Sequence, residues 1–354
     1  RGDYNEALSS ANKALGIRKK IWKKGHYEVA ESLNTLGKLK YLKGDYESAE
    51  CCFRKALKAS RQLLGENHPN TATYMHNLAT LYHRQSRHNE AKVLYLKVLD
   101  LKENILGSDF ADIASSLSNL ATLYYDQGEY DIAEEKYLKA LDLVQKKSGK
   151  NHPDYANIIH KLASLKLMQN RLDDAEKYFL EGLDIRRKNL GEGHPDVAYS
   201  WDDLSILYLK QERFEEAYDL QKKALSIREE VLEQDHPDIA LSYDNLAEYS
   251  WQRKAYSEAE TNYRKALRIR QNCWGTHHLE IAVTHEQMGE LNFEQKKYLE
   301  AEASYVQALF IYQSLLNDSH RYLQSIQGKL FRLYKAFWDH GMHFCAPSLM
   351  MHKN

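Results

Sequence analysis

Cysteine is scarce in this chain of 354 residues, and the four present (Cys51, Cys52, Cys273 and Cys345) form no Cys-x-x-Cys pair. That spacing excludes a disulfide framework and a closed zinc module, and it favours a reducing, cytoplasmic setting. A dominant charge is also lacking: the formal net charge is -1, which exerts no global pull toward nucleic acid or an anionic membrane. No apolar run approaches the roughly 18 residues of a membrane helix, and no secretory signal is visible. There is no Gly-rich phosphate loop, no low-complexity linker and no defensible Ser-His-Asp order. Adjacent carboxylates such as Asp173-Asp174 and Asp202-Asp203 diverge by about 100° on a helix and make no acid/base pair. The sequence therefore gives no seat for catalysis, no cofactor site and no metal site.

Proline is equally scarce, yet its placement is informative. Four of the five prolines (Pro69, Pro153, Pro195 and Pro237) follow a histidine in one register. The histidine recurs every forty-two residues as His26, His68, His152, His194, His236, His278 and His320, with Phe110 in the remaining place. Proline suits the first helical position, where its missing N–H would be unpaired anyway, and Asp154, Asp196 and Asp238 follow where the helix dipole favours an anion. Histidines so far apart along an array read as caps or turn packing rather than as converging ligands. His340, His343, Cys345 and His352 in the tail match no zinc module, and Cys51-Cys52 reads as one buried and one exposed thiol.

Small residues keep the same register. Ala stands at Ala30, Ala72, Ala114, Ala156, Ala198, Ala240 and Ala282, and a small residue follows a bulky one from Leu36-Gly37 through Met288-Gly289. In the second half of each unit an aromatic or Leu leads to Ala three residues later, as in Tyr130 to Ala133 and Phe214 to Ala217. These columns describe pairs of closely approaching antiparallel helices, and a fixed period in this range means stacked units without a single globular core.

Order and spacing resemble the tetratricopeptide repeat (TPR) stretched to forty-two residues, and the Gly-x-x-His-Pro turn at Gly191 to Pro195 is similar to kinesin light chains and nephrocystin-3-type proteins. The resemblance implies an all-α, right-handed superhelical solenoid. The expected organisation is an array over 1–338: a partial repeat at 1–24, seven full repeats over 25–316, an unpaired helix at 320–338, then a frayed tail at 339–354. First (A) helices are expected near 69–85 and second (B) helices near 87–106, repeating at the common period. Gly2-Asp3-Tyr4 aligns with Gly44-Asp45-Tyr46, so the chain is expected to begin inside a repeat of something longer.

In TPR arrays the A-helix stripe opposite the packing columns lines a groove that holds an extended peptide. The resemblance therefore implies a protein-interaction scaffold and peptide segments of other proteins as partners, with no nucleic acid or membrane. Its N-terminal half offers Asn34, Lys38, Tyr41, His76, Thr80, His83, Arg84, Ser118, Thr122, Tyr125, Asp126, Asn157, His160 and Ser164, polar and close to neutral. The next three helices offer Tyr199, Asp202, Ile206 and Lys210; Leu241, Asp244, Glu248 and Trp251; then Glu286, Glu290, Phe293 and Glu294. These read as an acidic-aromatic subsite for a basic and apolar peptide, bound in a salt-sensitive way. Glu286, Glu290 and Glu294 repeat at i, i+4 and i+8, where each like-charge step costs about 0.2–0.5 kcal/mol. Kinesin light chains carry Leu-Asn-Asn-Leu-Ala here, but the first Asn survives only as Asn34, and the acidic half argues against acidic cargo. A kinesin-light-chain-like cargo adaptor and a sensor domain of a larger signalling NTPase are the alternative readings.

Overall fold

The computed structural model describes residues 4–22, 26–105, 110–317 and 320–339. Sixteen α-helices and no strand occur among them. After α1 (Tyr4–Ile21), the A helices are α2 (Tyr27–Leu42), α4 (Pro69–Arg84), α6 (Phe110–Asp126), α8 (Pro153–Met168), α10 (Pro195–Lys210), α12 (Pro237–Gln252) and α14 (Leu279–Glu294). The B helices are α3 (Tyr46–Leu64), α5 (His88–Asp100), α7 (Tyr130–Ser148), α9 (Leu172–Leu190), α11 (Phe214–Val231), α13 (Tyr256–Trp274) and α15 (Tyr298–Leu315), and α16 (Arg321–Asp339) follows. The chain divides into two compact units, Arg1–Ile185 and Arg186–Asn354. The tail beyond α16, with its histidines and Cys345, lies outside the described residues.

The recurring histidine is the N-cap. Nδ1 of His26, His68, His152, His194, His236, His278 and His320 each accepts the backbone N–H two residues on, at 3.1–3.3 Å. A ring nitrogen thus satisfies one of the unpaired donors of the first turn. Each A helix then ends in a turn whose pivotal residue has positive φ: Gly44, Gly128, and also Ser86, Asn170, Glu212, Lys254 and Lys296. The five non-glycine residues hold the left-handed conformation because the turn closes with a backbone bond such as Arg213 N–H to Tyr208 O, at 2.9 Å.

Packing within a pair sets an aromatic ring of the B helix against the small column of the A helix. Phe53 and Tyr305 lie so close to Gly37 and Gly289 that an added Cβ would sit 2.6 and 2.5 Å from ring carbons. Gly289→Ala is therefore expected to destabilise the second unit by about 1–3 kcal/mol through overpacking. A chemical denaturation midpoint equal to that of the parent chain would contradict this contact.

The regular pattern departs in two places. The α-helical path of α5 gives way at Leu101–Ile105 to a π-helical turn, where an unbroken helix to 106 was expected. In α16 the small column is filled by Phe331, which is exposed. A bulky ring where the close approach needs Gly or Ala makes α16 unsuited to receive a further B helix of the repeat type.

Candidate functional site

Within the first unit, much of the A-helix stripe is spent on joining one repeat to the next. Asn77 Nδ2 donates to Asn34 Oδ1 at 2.7 Å, Asn119 Nδ2 lies 3.2 Å from His76 Nε2, and Lys161 Nζ donates to Ser118 Oγ at 3.0 Å. This ladder stitches α2 to α4, α4 to α6 and α6 to α8. Burial pushes His76 down to about 4, aided by Lys102 and Lys38. Behind the ladder, the hydroxyls of Tyr95 and Tyr137 meet Thr80 and Thr122 at 3.1 and 2.9 Å.

What stays open is smaller than the stripe. Lys38 and Arg84 are exposed, and His83 pairs with Asp126 at 2.7 Å. Thr80, Arg84 and Thr122 line a cleft of about 510 Å³ with Tyr41 as one wall. Tyr41 and Tyr125 lean on Tyr46 and Tyr130 with ring centres 5.8 Å apart, and His160 meets the edge of Phe179 at 5.5 Å.

In the second unit the acids of the expected acidic subsite face cations of this chain. Asp202 pairs with Arg228, and Asp244 pairs with Arg270, both arginines being buried on B helices. Burial pushes both carboxyls upward, and the facing guanidinium opposes the shift in each case. Glu286 receives Tyr312 Oη and Lys329 Nζ, each at 2.7 Å, and Ser325 Oγ at 3.2 Å. Glu290 is reached by Lys329 at 3.2 Å and by Arg332. Asp244 and Glu286 are only 8% and 9% exposed, so they are interior groups and present no negative surface.

The aromatic members are similarly engaged. The Trp251 indole N–H donates to Glu294, and Phe293 lies beneath the Arg332 guanidinium at 4.4 Å. Glu248 stays partly open while accepting from Gln252 at 2.8 Å. Tyr199, Leu241 and Ile206 remain exposed at 49%, 46% and 40%. Tyr199 Oη reaches from α10 to Asp238 on α12 at 3.2 Å. The open chemistry of this face is thus apolar more than acidic.

The groups that sequence reading missed form a column of their own at the common period: Arg18, Ser60, Lys102, Val144, Arg186, Arg228, Arg270 and Tyr312. Wherever this B-helix residue is cationic, it hooks a hydroxyl fourteen positions on, pairing Arg18 with Ser32, Lys102 with Ser116, Arg186 with Ser200, Arg228 with Ser242 and Arg270 with Thr284 at 2.5–3.0 Å. Where it is uncharged, the partner is another hydroxyl (Ser60 with Thr71, 2.7 Å) or the fourteenth position is bulky, as in Tyr74, Ile158 and Ile326. That exchange of cation with hydroxyl for neutral with bulky was the readable signal.

A family profile described as tetratricopeptide repeat matches residues 1–62, 52–104, 112–188, 171–226 and 196–272, well over half of the chain. The chain belongs to the tetratricopeptide repeat family. Comparison with curated protein sequences returns no match. Among solved structures, this tetratricopeptide repeat chain is similar to BtubC (BKLC) from P. vanneervenii, with a TM-score of 0.59 and 24% identity over 66% of this chain and 94% of that one. It is also similar to the nearly identical TPR-like repeats of a putative kinesin light chain from Podosopora anserina (TM-score 0.52, 23% identity, 58% of this chain and 98% of that one). A tetratricopeptide repeat protein from Parabacteroides merdae gives a TM-score of 0.53 at 18% identity, over 86% of this chain and 98% of that one.

These likenesses show the fold, an all-α solenoid of stacked antiparallel pairs. Repeats of this family are protein-interaction modules. Among the described residues, no three His, Cys, Asp or Glu converge on a metal site, and no helix is long and apolar enough to cross a membrane.

Proposed function

We propose that this tetratricopeptide repeat chain is a scaffold that takes an extended peptide across the A-helix face of its second unit. The observation that carries this reading is the exposure of Tyr199, Ile206 and Leu241 on the successive helices α10 and α12. Neighbouring helices about 10 Å apart give α10, α12 and α14 a span that about six extended residues cover at roughly 3.3 Å each.

Magnitudes decide which contacts matter. Burying one aliphatic or aromatic side chain contributes about 1.5–3 kcal/mol, whereas an exposed ion pair adds about 0.2–1 kcal/mol. With Asp202, Asp244, Glu286 and Glu290 already paired, the ligand is selected by apolar anchors against Tyr199, Ile206 and Leu241. A single Lys or Arg opposite Glu248 or Glu294 supplies a smaller, salt-sensitive share.

Selection from a random peptide array tests this. The selected peptides are expected to carry two spaced apolar residues, to lose at least about tenfold in affinity with Leu241→Lys, and to change by less than about threefold with Glu290→Gln. Peptides that bind a Tyr199→Ala, Leu241→Lys double variant as well as the parent would overturn the reading.

A further inference from the structure

The outer side of the first unit carries a second groove that owes nothing to the A-helix face. It runs between the B helices α3 and α5 over α4 and encloses about 850 Å³. Its floor is apolar, made by Leu57, Leu78 and Tyr82, all buried. One rim is cationic: Arg54, Lys58 and Arg61 stand at i, i+4 and i+7 along α3. The other rim is apolar, with Val93 65% exposed beside Leu94.

Neither rim is required by the repeat. In the column of Lys58 the next three repeats place Asp100, Asp142 and Asp184 and the later ones Ser226, Arg268 and Phe310, so the repeat itself does not fix a cation there. In the column of Val93 the other repeats place Cys51, Glu135, Lys177, Asp219, Thr261 and Ala303, so α5 alone exposes a large aliphatic group there. The equivalent cleft of about 840 Å³ between α11 and α13 keeps Lys222 in the column of Arg54, but Ser226 and Glu229 stand in the columns of Lys58 and Arg61, so the cationic row is not repeated there. Like charges one turn apart work against a helix, and the packing here does not ask for them.

The cations are also incompletely neutralised. Lys58 has no ion-pair partner among the described residues, and Arg54 has one contact, Glu50 at 3.4 Å, with its side chain 66% exposed. The facing acid, Glu90, is held by the Arg87 guanidinium at 2.6 Å. Arg61 is committed to Glu66 at 2.7 Å.

We infer that this groove docks an acidic amphipathic helix of a partner protein. An approaching helix can lie along the channel between two B helices, ridges into grooves. Its apolar stripe meets Leu57, Val93 and Leu94, and Asp or Glu side chains one turn apart face Arg54 and Lys58. Charge complementarity chooses the sign of the partner, and the exposed valine supplies the apolar anchor.

The test uses the full chain and a fluorescein-labelled helical peptide of about twenty residues, long enough for a stable helix, with Glu on that spacing beside a Leu stripe. Fluorescence anisotropy is expected to show binding that weakens at least tenfold with Lys58→Asp and with Val93→Glu. Both are substitutions that other repeats already tolerate in the same columns, and circular dichroism should report unchanged melting. Leu241→Lys should leave this binding intact, which separates it from the A-helix reading. A peptide with Lys in place of Glu should not bind. Equal affinity of the parent and both groove variants for the acidic peptide would overturn the inference. So would capture by phosphatidylserine vesicles in place of the peptide.

Discussion

Arg270→Ala is expected to destabilise the second unit by about 3–5 kcal/mol, the usual consequence of stranding one member of a buried ion pair. Asp244 would keep its buried position without a cation, and Thr284 Oγ1 would lose the guanidinium donor now 2.6 Å away. At roughly 2–4 °C per kcal/mol for a unit of this size, the melting temperature should fall by about 6–20 °C. The chain itself supplies the compensating design. Across the third and fourth full repeats the corresponding positions are Ser118, Val144 and Ile158, none of them charged. The triple substitution Asp244→Ser, Arg270→Val, Thr284→Ile is therefore expected to recover most of the loss in calorimetry. A single-variant loss below about 1 kcal/mol, the scale of an exposed pair, would show that the arginine is not an internal strut.

Acid should expose a second dependence, centred on His76. Nδ1 of its ring is buried without a partner, and Nε2 faces Asn119. Burial first, then Lys102 and Lys38, holds the imidazole down at about 4, against 6.5 for a free side chain. The unfolded chain therefore takes up a proton near pH 6.5 that the folded chain refuses until about pH 4. The stability contributed by neutral His76 is complete above pH 6.5 and is lost as pH falls toward 4, at about 1.4 kcal/mol per pH unit and up to about 3 kcal/mol in all.

Buried carboxyls act in the opposite sense. Asp203 is pushed up to about 7 by burial and by Asp202, against the pull of Arg186, so the stability linked to its protonation is present at low pH and lost as pH rises through 7. Subtraction isolates the histidine. Denaturation of His76→Asn, which restores the residue type of Asn34 in the same column, should show a stability curve flatter than the parent between pH 6.5 and 4. Parallel curves would contradict the burial of His76.

The division between legible and illegible follows the range of the interactions. Histidine caps, A-helix starts and the small columns act within one turn or between adjacent helices at a fixed offset, so the forty-two-residue register exposes them directly. The A-helix stripe was drawn from the helical period alone, which says which side of a helix a residue occupies but not what the next helix brings to it. Asp244 reads as groove-lining because its partner, Arg270, stands twenty-six positions later on a helix read only for its apolar columns. Trp251 and Glu294, or Asn34 and Asn77, likewise meet across a full repeat. The stripe column of Asn34, His76, Ser118, Asp202, Asp244 and Glu286 thus belongs to the joint between repeats. Ile206 and Leu241, which have no polar group to pair, and the ring of Tyr199 are left to the solvent.

Carbodiimide-driven amine labelling of the folded chain, read residue by residue by mass spectrometry, tests that distinction most directly. Asp244 and Glu286 are expected to stay unlabelled until the second unit unfolds, while the exposed Glu215 and Glu233 react at once. Labelling of Asp244 and Glu286 at the rate of those two surface carboxylates would mean that the acids line an open face after all, and the account of the buried cation column would fail with it.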